Sequence, residues 1–176
     1  MKTLFFEDLK VGDRWESRAR TITESDIVNF ACLTGDFDPL HVDHEFAKQG
    51  PFRKPIAHGL LGMSLVAGLG SNFPSVNTIA FVAVREWTFL KPMYIGDTVH
   101  VVNQVESLQA KGRRGGLVIW KRQLVNHAGE TLQCGQFETL VTRQTARGQG
   151  GRSSDSGRGS SAAKRDGKKS KSGGGD

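Results

Sequence analysis

An aspartate and a histidine five positions apart, Asp36 and His41, are the residues of this sequence best suited to acid–base chemistry. They lie in the stretch GDFDPLH (35–41), which is predicted to be a turn, because Pro39 biases the preceding Asp38 to an extended conformation. Downstream, the stretch PIAHG (55–59) opens an almost uniformly apolar segment. A carboxylate and an imidazole on a turn that faces the amino end of a buried helix indicate a reaction centre with a general acid–base pair.

The apolar segment 59–69, GLLGMSLVAGL, is predicted to form a buried core helix. Ser64 is its only polar residue, and a helix that is apolar on every side needs cover on every side. Its length is well below the roughly 20 residues that span a membrane, so no membrane partner is expected. Its glycines indicate that other backbone approaches closely, because glycine is otherwise costly inside a helix.

Two shorter helices are predicted on either side of the 35–41 turn. Thr23 is a typical N-cap residue, and apolar side chains follow it at helical spacing until Gly35 ends the helix. A second helix with an acidic cap is predicted over 43–48. Upstream of both, the loosely alternating stretch 14–22 predicts a first strand.

The second half of the folded body is predicted to consist of strands. Four stretches rich in β-branched and aromatic residues follow one another without an intervening helix, and they are 79–89, 98–105, 116–125 and 131–142. The sequence NHAG at 126–129 is expected to join the last two as a hairpin. Helices followed by an uninterrupted run of antiparallel strands are typical of the α+β class.

The net charge of +6 lies almost wholly at the end of the 176-residue chain. Residues 147–176 hold eight Lys and Arg against three Asp, so the remainder is near neutral. From residue 144 the sequence loses periodicity and is mainly Gly, Ser, Lys and Arg. This composition predicts one folded domain over 1–143 and a disordered basic tail over 144–176. The tail has no aromatic residue to stack on bases, so we expect a solubilising appendage and no specific nucleic-acid partner.

The two cysteines, Cys32 and Cys134, are far apart and form no CxxC motif. Charged residues at positions 2, 7, 8 and 10 leave no room for the apolar region of a signal peptide. Reduced thiols in a cytoplasmic protein are therefore expected.

With these elements in place, the sequence resembles the MaoC-like hydratase family of the hot-dog fold, which includes the (R)-specific enoyl-CoA hydratases. The resemblance runs from about residue 6 to residue 141. It rests on four pieces in this order and at this spacing. They are the motif GDFDPLHVD, the pair FA, the motif PIAHGL and the turn PMYIGD, at residues 35–43, 46–47, 55–60 and 92–97.

The resemblance implies a single hot-dog domain, in which a curved antiparallel sheet wraps around one long central helix, here 59–69. It implies that Asp36 and His41 are the catalytic pair and that the Gly59 N–H stabilises the thioester oxygen. It also implies an acyl-CoA substrate, and a homodimer with active sites near the subunit interface. The chemistry requires neither a cofactor nor a metal.

Hydration of an α,β-unsaturated thioester needs a water activated for attack at C3, a proton at C2 and stabilisation of the thioester oxygen. An Asp/His pair that holds one water supplies the first two, and a backbone N–H at a helix start supplies the third. The implied activity is that of a hydro-lyase, which reversibly adds water to a trans-2-enoyl-CoA to give the (R)-3-hydroxyacyl-CoA. The sequence leaves open which member of the pair takes the proton.

Two other activities stay open at this stage. A hot-dog acyl-CoA thioesterase also uses a carboxylate and an oxyanion helix, although the spacing of the pair around Pro39 favours a hydratase. A non-catalytic acyl-CoA-binding module is the second. It stays open because the chain has Asp38 where the family commonly has Asn, and Ala67 where well-studied hydratases have a serine.

The candidate side chains also have structural interpretations. Asp36 standing alone would be a turn-forming aspartate, and His41 an imidazole bonded to a nearby carbonyl. His58 is expected to orient its loop or to pack, without a catalytic role. A metal site in HVDH (41–44) is disfavoured, because the spacing fits no standard zinc pattern and His44 should be exposed.

Overall fold

The computed structural model describes residues 2–144, which form a six-stranded antiparallel sheet with four helices and a short 3-10 turn at Phe6–Asp8. In chain order the elements are β1 (Arg14–Glu16), β2 (Arg20–Thr21), α1 (Glu24–Thr34), α2 (Pro39–Val42), α3 (His44–Gln49), α4 (Gly59–Gly70), β3 (Thr78–Phe89), β4 (Thr98–Lys111), β5 (Gly115–Asn126) and β6 (Thr131–Thr142). The predicted α+β class is confirmed. The predicted tail lies outside the described residues from position 145 onward, so the division of the chain at residue 143 stays a prediction.

The strand order is β1-β4-β5-β6-β3, with β2 also paired to β4. Strand β3 therefore forms one edge of the sheet. Successive side chains alternate between the two faces of a strand, and β5 accordingly buries Val118, Trp120 and Leu124 on one face. The predicted hairpin at 126–129 joins β5 to β6, where Gly129 adopts a φ of 77° that favours glycine.

Helix α4 packs against β4 and β5 through a face that includes Leu61 and Val66. The buried apolar side chains around it come from the sheet and from α1, and they include Ile27, Val99, Val101, Val105, Val118, Trp120, Leu124, Leu132, Phe137 and Val141. Removing apolar surface from water is worth about 25 cal/mol per Å². This shared burial holds α4 in place on the sheet.

The prediction that α4 is buried on every side is wrong for the single chain. Leu60 is 55% exposed, and Ser64, Ala67 and Gly68 are also exposed. A sheet covers only one side of a helix, so the opposite side stays uncovered by residues 2–144. Within that same part of the chain, no helix is both long and apolar enough to cross a membrane.

Two strand predictions differ from the structure in extent. The predicted strand 14–22 is two short strands, because Ser17 interrupts the ladder. Its side-chain Oγ accepts the Val101 N–H at 2.9 Å, so a hydroxyl replaces a main-chain carbonyl there. Strand β4 continues beyond the predicted end at Val105, because a bulge before Ser107 breaks the alternation without ending the pairing.

Thr23 caps α1 as predicted. Its hydroxyl oxygen accepts the Asp26 N–H at 3.3 Å, and the Asp26 carboxylate accepts the Thr23 N–H at 2.8 Å and an Arg20 N–H at 2.6 Å. Partial burial acts to raise the pKa of Asp26, but the hydrogen bonds from Thr23 and the contact with Arg20 outweigh it. The pKa of Asp26 therefore lies below its usual value. The helix ends at Gly35, which adopts a φ of 80°.

Two glycines of α4 should respond in opposite ways to alanine. A methyl group at Gly62 would overlap the Gln133 amide, which bonds to the Gly59 carbonyl and to Trp87, whereas one at Gly68 would meet no atom within 4 Å. We expect Gly62→Ala to lower the free energy of unfolding by about 1–3 kcal/mol. Gly68→Ala should leave it unchanged or raise it by up to ~1 kcal/mol. Urea unfolding measures both, and equal effects would contradict this packing.

The depressed pKa of Asp26 makes its contribution to stability depend on pH. A carboxylate whose pKa is lower in the folded state stabilises fully above its unfolded pKa of about 3.9, and loses that contribution as the pH falls through the folded pKa. We expect Asp26→Asn to cost about 1 kcal/mol at pH 7. The cost should shrink below about pH 4.

Urea unfolding of both proteins between pH 7 and pH 3 tests this dependence. The control is Glu24→Gln, because Glu24 is exposed and bonds only at the surface, to His44. A cost for Asp26→Asn that does not change with pH would show that the hydrogen-bond geometry matters and the charge does not.

Candidate active site

Asp36 lies directly after α1, on the turn that Gly35 begins. Its Oδ1 accepts the Asp38 N–H at 3.3 Å, and its own N–H donates to the Thr34 hydroxyl at 3.3 Å. Such local bonds are typical of an aspartate turn. They leave the carboxylate 53% exposed, so a ligand in solvent can reach it.

His41 is positioned by the short helix α2. Asp38 caps this helix by accepting the Leu40 N–H at 2.8 Å, and Pro39 is its first residue. The Nδ1 atom of His41 lies 2.7 Å from the Ile56 carbonyl oxygen. A carbonyl only accepts, so Nδ1 carries the hydrogen and Nε2 of the neutral ring has the lone pair. This hydrogen-bond geometry presents a proton acceptor at Nε2.

His58 contacts both candidate residues from the buried side of the turn. Its side chain is only 3% exposed, and its Nε2 donates to the main-chain oxygen of Asp36 at 2.9 Å. Its ring stacks on that of His41 with 3.8 Å between the ring centroids, and it also contacts Phe30. His58 therefore touches both Asp36 and His41, in a position suited to orienting them.

The structure brings Asp36, His41 and His58 together, with one carboxylate oxygen and two ring nitrogens within 4.8 Å of one another. It does not bring together the metal alternative in HVDH (41–44). Asp43 caps α3 by accepting the N–H groups at positions 45 and 46, and His44 bonds to Glu24. In the cluster that does form, His41 Nδ1 and His58 Nε2 already face carbonyl oxygens, which leaves few free metal donors.

Gly59 is the first residue of α4 and lines a cavity of about 290 Å³ together with His41. The first N–H groups of a helix have no partner within it, and no acceptor is recorded for the Gly59 N–H among residues 2–144. A side chain at Gly59 would come within 2.9 Å of the Phe89 ring. A side chain at this helix start would therefore have to displace the half-exposed Phe89 ring. Asp36 itself does not line this cavity.

Sequence reasoning missed Gln133, which is 2% exposed and also lines the cavity. Its Nε2 donates to the Gly59 carbonyl at 3.0 Å, and its Oε1 accepts from Trp87 Nε1 at 3.3 Å. Gln133 thereby fixes the start of α4 to strands β3 and β6. No local pattern could have found it, because the partners are 74 positions apart in the sequence.

The geometry of Asp36, His41 and Gly59 leaves their catalytic roles as predictions. The comparisons with known proteins bear on the family. Residues 9–125 match the MaoC like domain family. A 3-hydroxybutyryl-CoA dehydratase of Methylorubrum extorquens is 37% identical over 118 residues, which are 66% of this chain and 73% of the relative. An (R)-specific enoyl-CoA hydratase of Rhodospirillum rubrum is 38% identical over 105 residues, which are 59% of this chain and 71% of the relative.

Solved structures are similar over most of the chain. A monoamine oxidase regulatory protein from Archaeoglobus matches with a TM-score of 0.74 at 37% identity, covering 81% of this chain and 96% of that one. A Mycobacterium tuberculosis protein with a double hot-dog fold matches with a TM-score of 0.71 at 18% identity, covering 80% of this chain and 44% of that one. The predicted hot-dog fold is confirmed. Because the family match spans more than half of its length, the chain belongs to the MaoC-like domain family.

Proposed function

We propose that this chain is a hydratase that reversibly adds water to a trans-2-enoyl-CoA to give the (R)-3-hydroxyacyl-CoA. The observation that carries the proposal is the convergence of Asp36 and His41 within 4.8 Å, with His41 sharing a cavity with the first residue of α4. Relatives named as a 3-hydroxybutyryl-CoA dehydratase and as an (R)-specific enoyl-CoA hydratase support the same class of activity. The enzyme is accordingly of the hydratase/dehydratase type.

The proposed reaction uses one water held between the Asp36 carboxylate and Nε2 of His41. The pair takes a proton from this water as the water oxygen bonds to C3 of the enoyl group. The π electrons of the C2–C3 bond move toward the thioester oxygen and form an enolate. The pair then returns a proton to C2 as the enolate collapses, so that H and OH have been added without any change of oxidation state in the protein.

The start of α4 supports the enolate in this scheme. The Gly59 N–H has no acceptor within residues 2–144, and the positive end of the helix dipole lies at the same place. A preorganised donor of this kind stabilises charge as it develops, because it does not reorganise during the reaction. Removing one such donor typically costs about 2.7–4 kcal/mol of activation free energy.

We also propose that two chains pair, and that the acyl-CoA binds near their interface. Edge strand β3 exposes Ile79, Phe81, Val82 and Phe89, and the outer side of α4 is likewise uncovered by residues 2–144. Large apolar side chains left exposed together in this way are typical of an interaction site. Sedimentation of the full chain tests the pairing, and a monomer at micromolar concentration would contradict it. The cytoplasmic location stays a prediction.

An assay with crotonyl-CoA and longer trans-2-enoyl-CoAs tests the reaction. We expect loss of the conjugated double bond without release of free CoA, and an (R)-configured product on chiral analysis. Release of thiol without hydration would instead support a thioesterase. Tight binding with neither reaction would support a non-catalytic acyl-CoA-binding module.

Two neighbouring carboxylates offer a matched test of the site. Asp36→Asn removes the proposed acid–base group, and we expect kcat to fall by about 10²–10⁴-fold. Asp38→Asn keeps an oxygen that can cap α2, as Asp38 does for Leu40, so its activity should stay within about threefold of the parent. His41→Ala should resemble Asp36→Asn. If hydration occurs and both Asp36→Asn and His41→Ala keep the full rate, the assignment of the pair is wrong.

A further inference from the structure

A second cavity, of about 330 Å³, lies at the opposite end of α4 from Gly59 and is lined in part by Arg122. Arg122 is 8% exposed, and its Nε is buried without a hydrogen-bond partner. Among residues 2–144 no carboxylate lies within 4.0 Å of it. Burial lowers the pKa of Arg122 to about 10, which still leaves the group charged at neutral pH.

The surroundings of Arg122 offset only part of the cost of burying this charge. Its guanidinium carbon lies 4.8 Å from the centroid of the Phe137 ring, a cation–π distance, and the carboxyl end of α4 has a favourable dipole. The Oδ1 of Asn103, on the neighbouring strand, also has no hydrogen-bond partner among residues 2–144. An amide oxygen satisfies one donor and does not neutralise the charge, whereas guanidinium has five donors.

Thr139 adds a further donor to the cavity. The Thr139 hydroxyl oxygen accepts from Trp120 Nε1 at 2.8 Å, so its own hydrogen is free to donate into the cavity. Arg122 and Thr139 together suit a planar anion such as a carboxylate, which guanidinium binds with two parallel hydrogen bonds. The remaining walls are mostly apolar and include Ala67, Val76 and Phe81. An apolar chain that ends in a carboxylate fits this lining.

The second cavity lies along the same side of α4 as the candidate active site. Gly59, Met63 and Ala67 follow one another at steps of four residues, and such residues form one row on a helix. Strands β3 and β6 line both cavities, through Phe89 and Gln133 near Gly59 and through Phe81 and Thr139 near Ala67. The distance along the helix from Gly59 to Ala67 is about 12 Å. An acyl chain held by its thioester at Gly59 would have to follow this row to reach Arg122.

We propose that Arg122 binds the distal carboxylate of the substrate's acyl group, so that the preferred substrate is a 2-enoyl thioester of a dicarboxylic acid. The inference rests on the proposed function for the thioester end, and on the Arg122 cavity for the distal end. Ala67 supports it, because a small side chain at this position keeps the cavity open. An uncharged acyl end would leave the guanidinium without an acceptor, and this disfavours ordinary fatty acyl groups.

Binding of unreactive analogues tests the inference without turnover. Saturated acyl-CoAs of about eight to twelve carbons match the ~12 Å span, and each is compared with the thioester of equal length that ends in a carboxylate. By calorimetry on the full chain, we expect the carboxylated analogue to bind at least about tenfold more tightly. Arg122→Met should abolish this preference. Lys121→Met, which removes the neighbouring exposed cation, should leave it intact.

Two further variants cover the case in which Arg122→Met does not fold. Arg122→Lys keeps the charge but loses the planar guanidinium that forms two parallel hydrogen bonds. It should therefore retain a reduced preference for the carboxylated analogue. Ala67→Leu fills the cavity from the exposed side of α4, so it should weaken the binding of both long analogues. Equal binding of both analogues to the parent protein would overturn the inference.

Hydration of the matching enoyl thioesters separates this inference from the proposed function. Hydration of enoyl thioesters with and without the distal carboxylate at equal kcat/KM would overturn the role of Arg122 and leave the hydratase proposal intact. A strong preference for binding the carboxylated analogue, with no hydration of any thioester, would support the role of Arg122 and contradict the hydratase. A carboxylate from a second copy of the chain could also pair with Arg122. In that case the parent protein would not prefer the carboxylated analogue, and Arg122→Met would weaken a dimer in sedimentation. That result would overturn the inference.

Discussion

The docking of α4 on the sheet is the constraint on which the candidate site and the second cavity both depend. Its middle is held by apolar burial, and its two ends are tied to strands by side-chain amides. Gln133 donates to the Gly59 carbonyl at the amino end, and Asn103 donates to the Gly70 carbonyl at 3.1 Å at the carboxyl end. Both amides are buried, so releasing either would leave unpaired polar groups in the core. Helix α4 is thus fixed along its own axis as well as against the sheet.

A helix held in this way has ends of opposite electrostatic character. The amino end presents the Gly59 N–H in the cavity that His41 also lines, where the proposed reaction develops negative charge on the thioester oxygen. The carboxyl end lies beside the Arg122 cation. One element would then set both the position of the reacting atoms and the length and charge of the acyl group that reaches between the ends. Substrate choice and catalysis would therefore share a single structural support.

Two histidines tie together the turn that holds the candidate acid–base pair. His41 is held by the Ile56 carbonyl and by the ring of His58, and His58 in turn bonds to the backbone of Asp36. These contacts join two chain segments about 20 residues apart in sequence. Asp36 keeps an exposed carboxylate on a fixed backbone, and His41 keeps its lone pair at Nε2. The proposed exchange of protons with a water would gain from such preorganisation.

The sequence by itself determined the local elements and the candidate pair, because helix caps, glycine ends and Asp-Pro turns act within a few residues. Thr23 and Gly35 accordingly bound α1 as predicted. Only the tertiary structure decided which long-range neighbours complete each site. Lys121 and Arg122 are adjacent cations in the sequence, but the register of β5 leaves the first in solvent and turns the second inward. The apolar pattern of α4 likewise predicts that it needs cover and does not say which chain supplies it, since the pattern carries no information about partners.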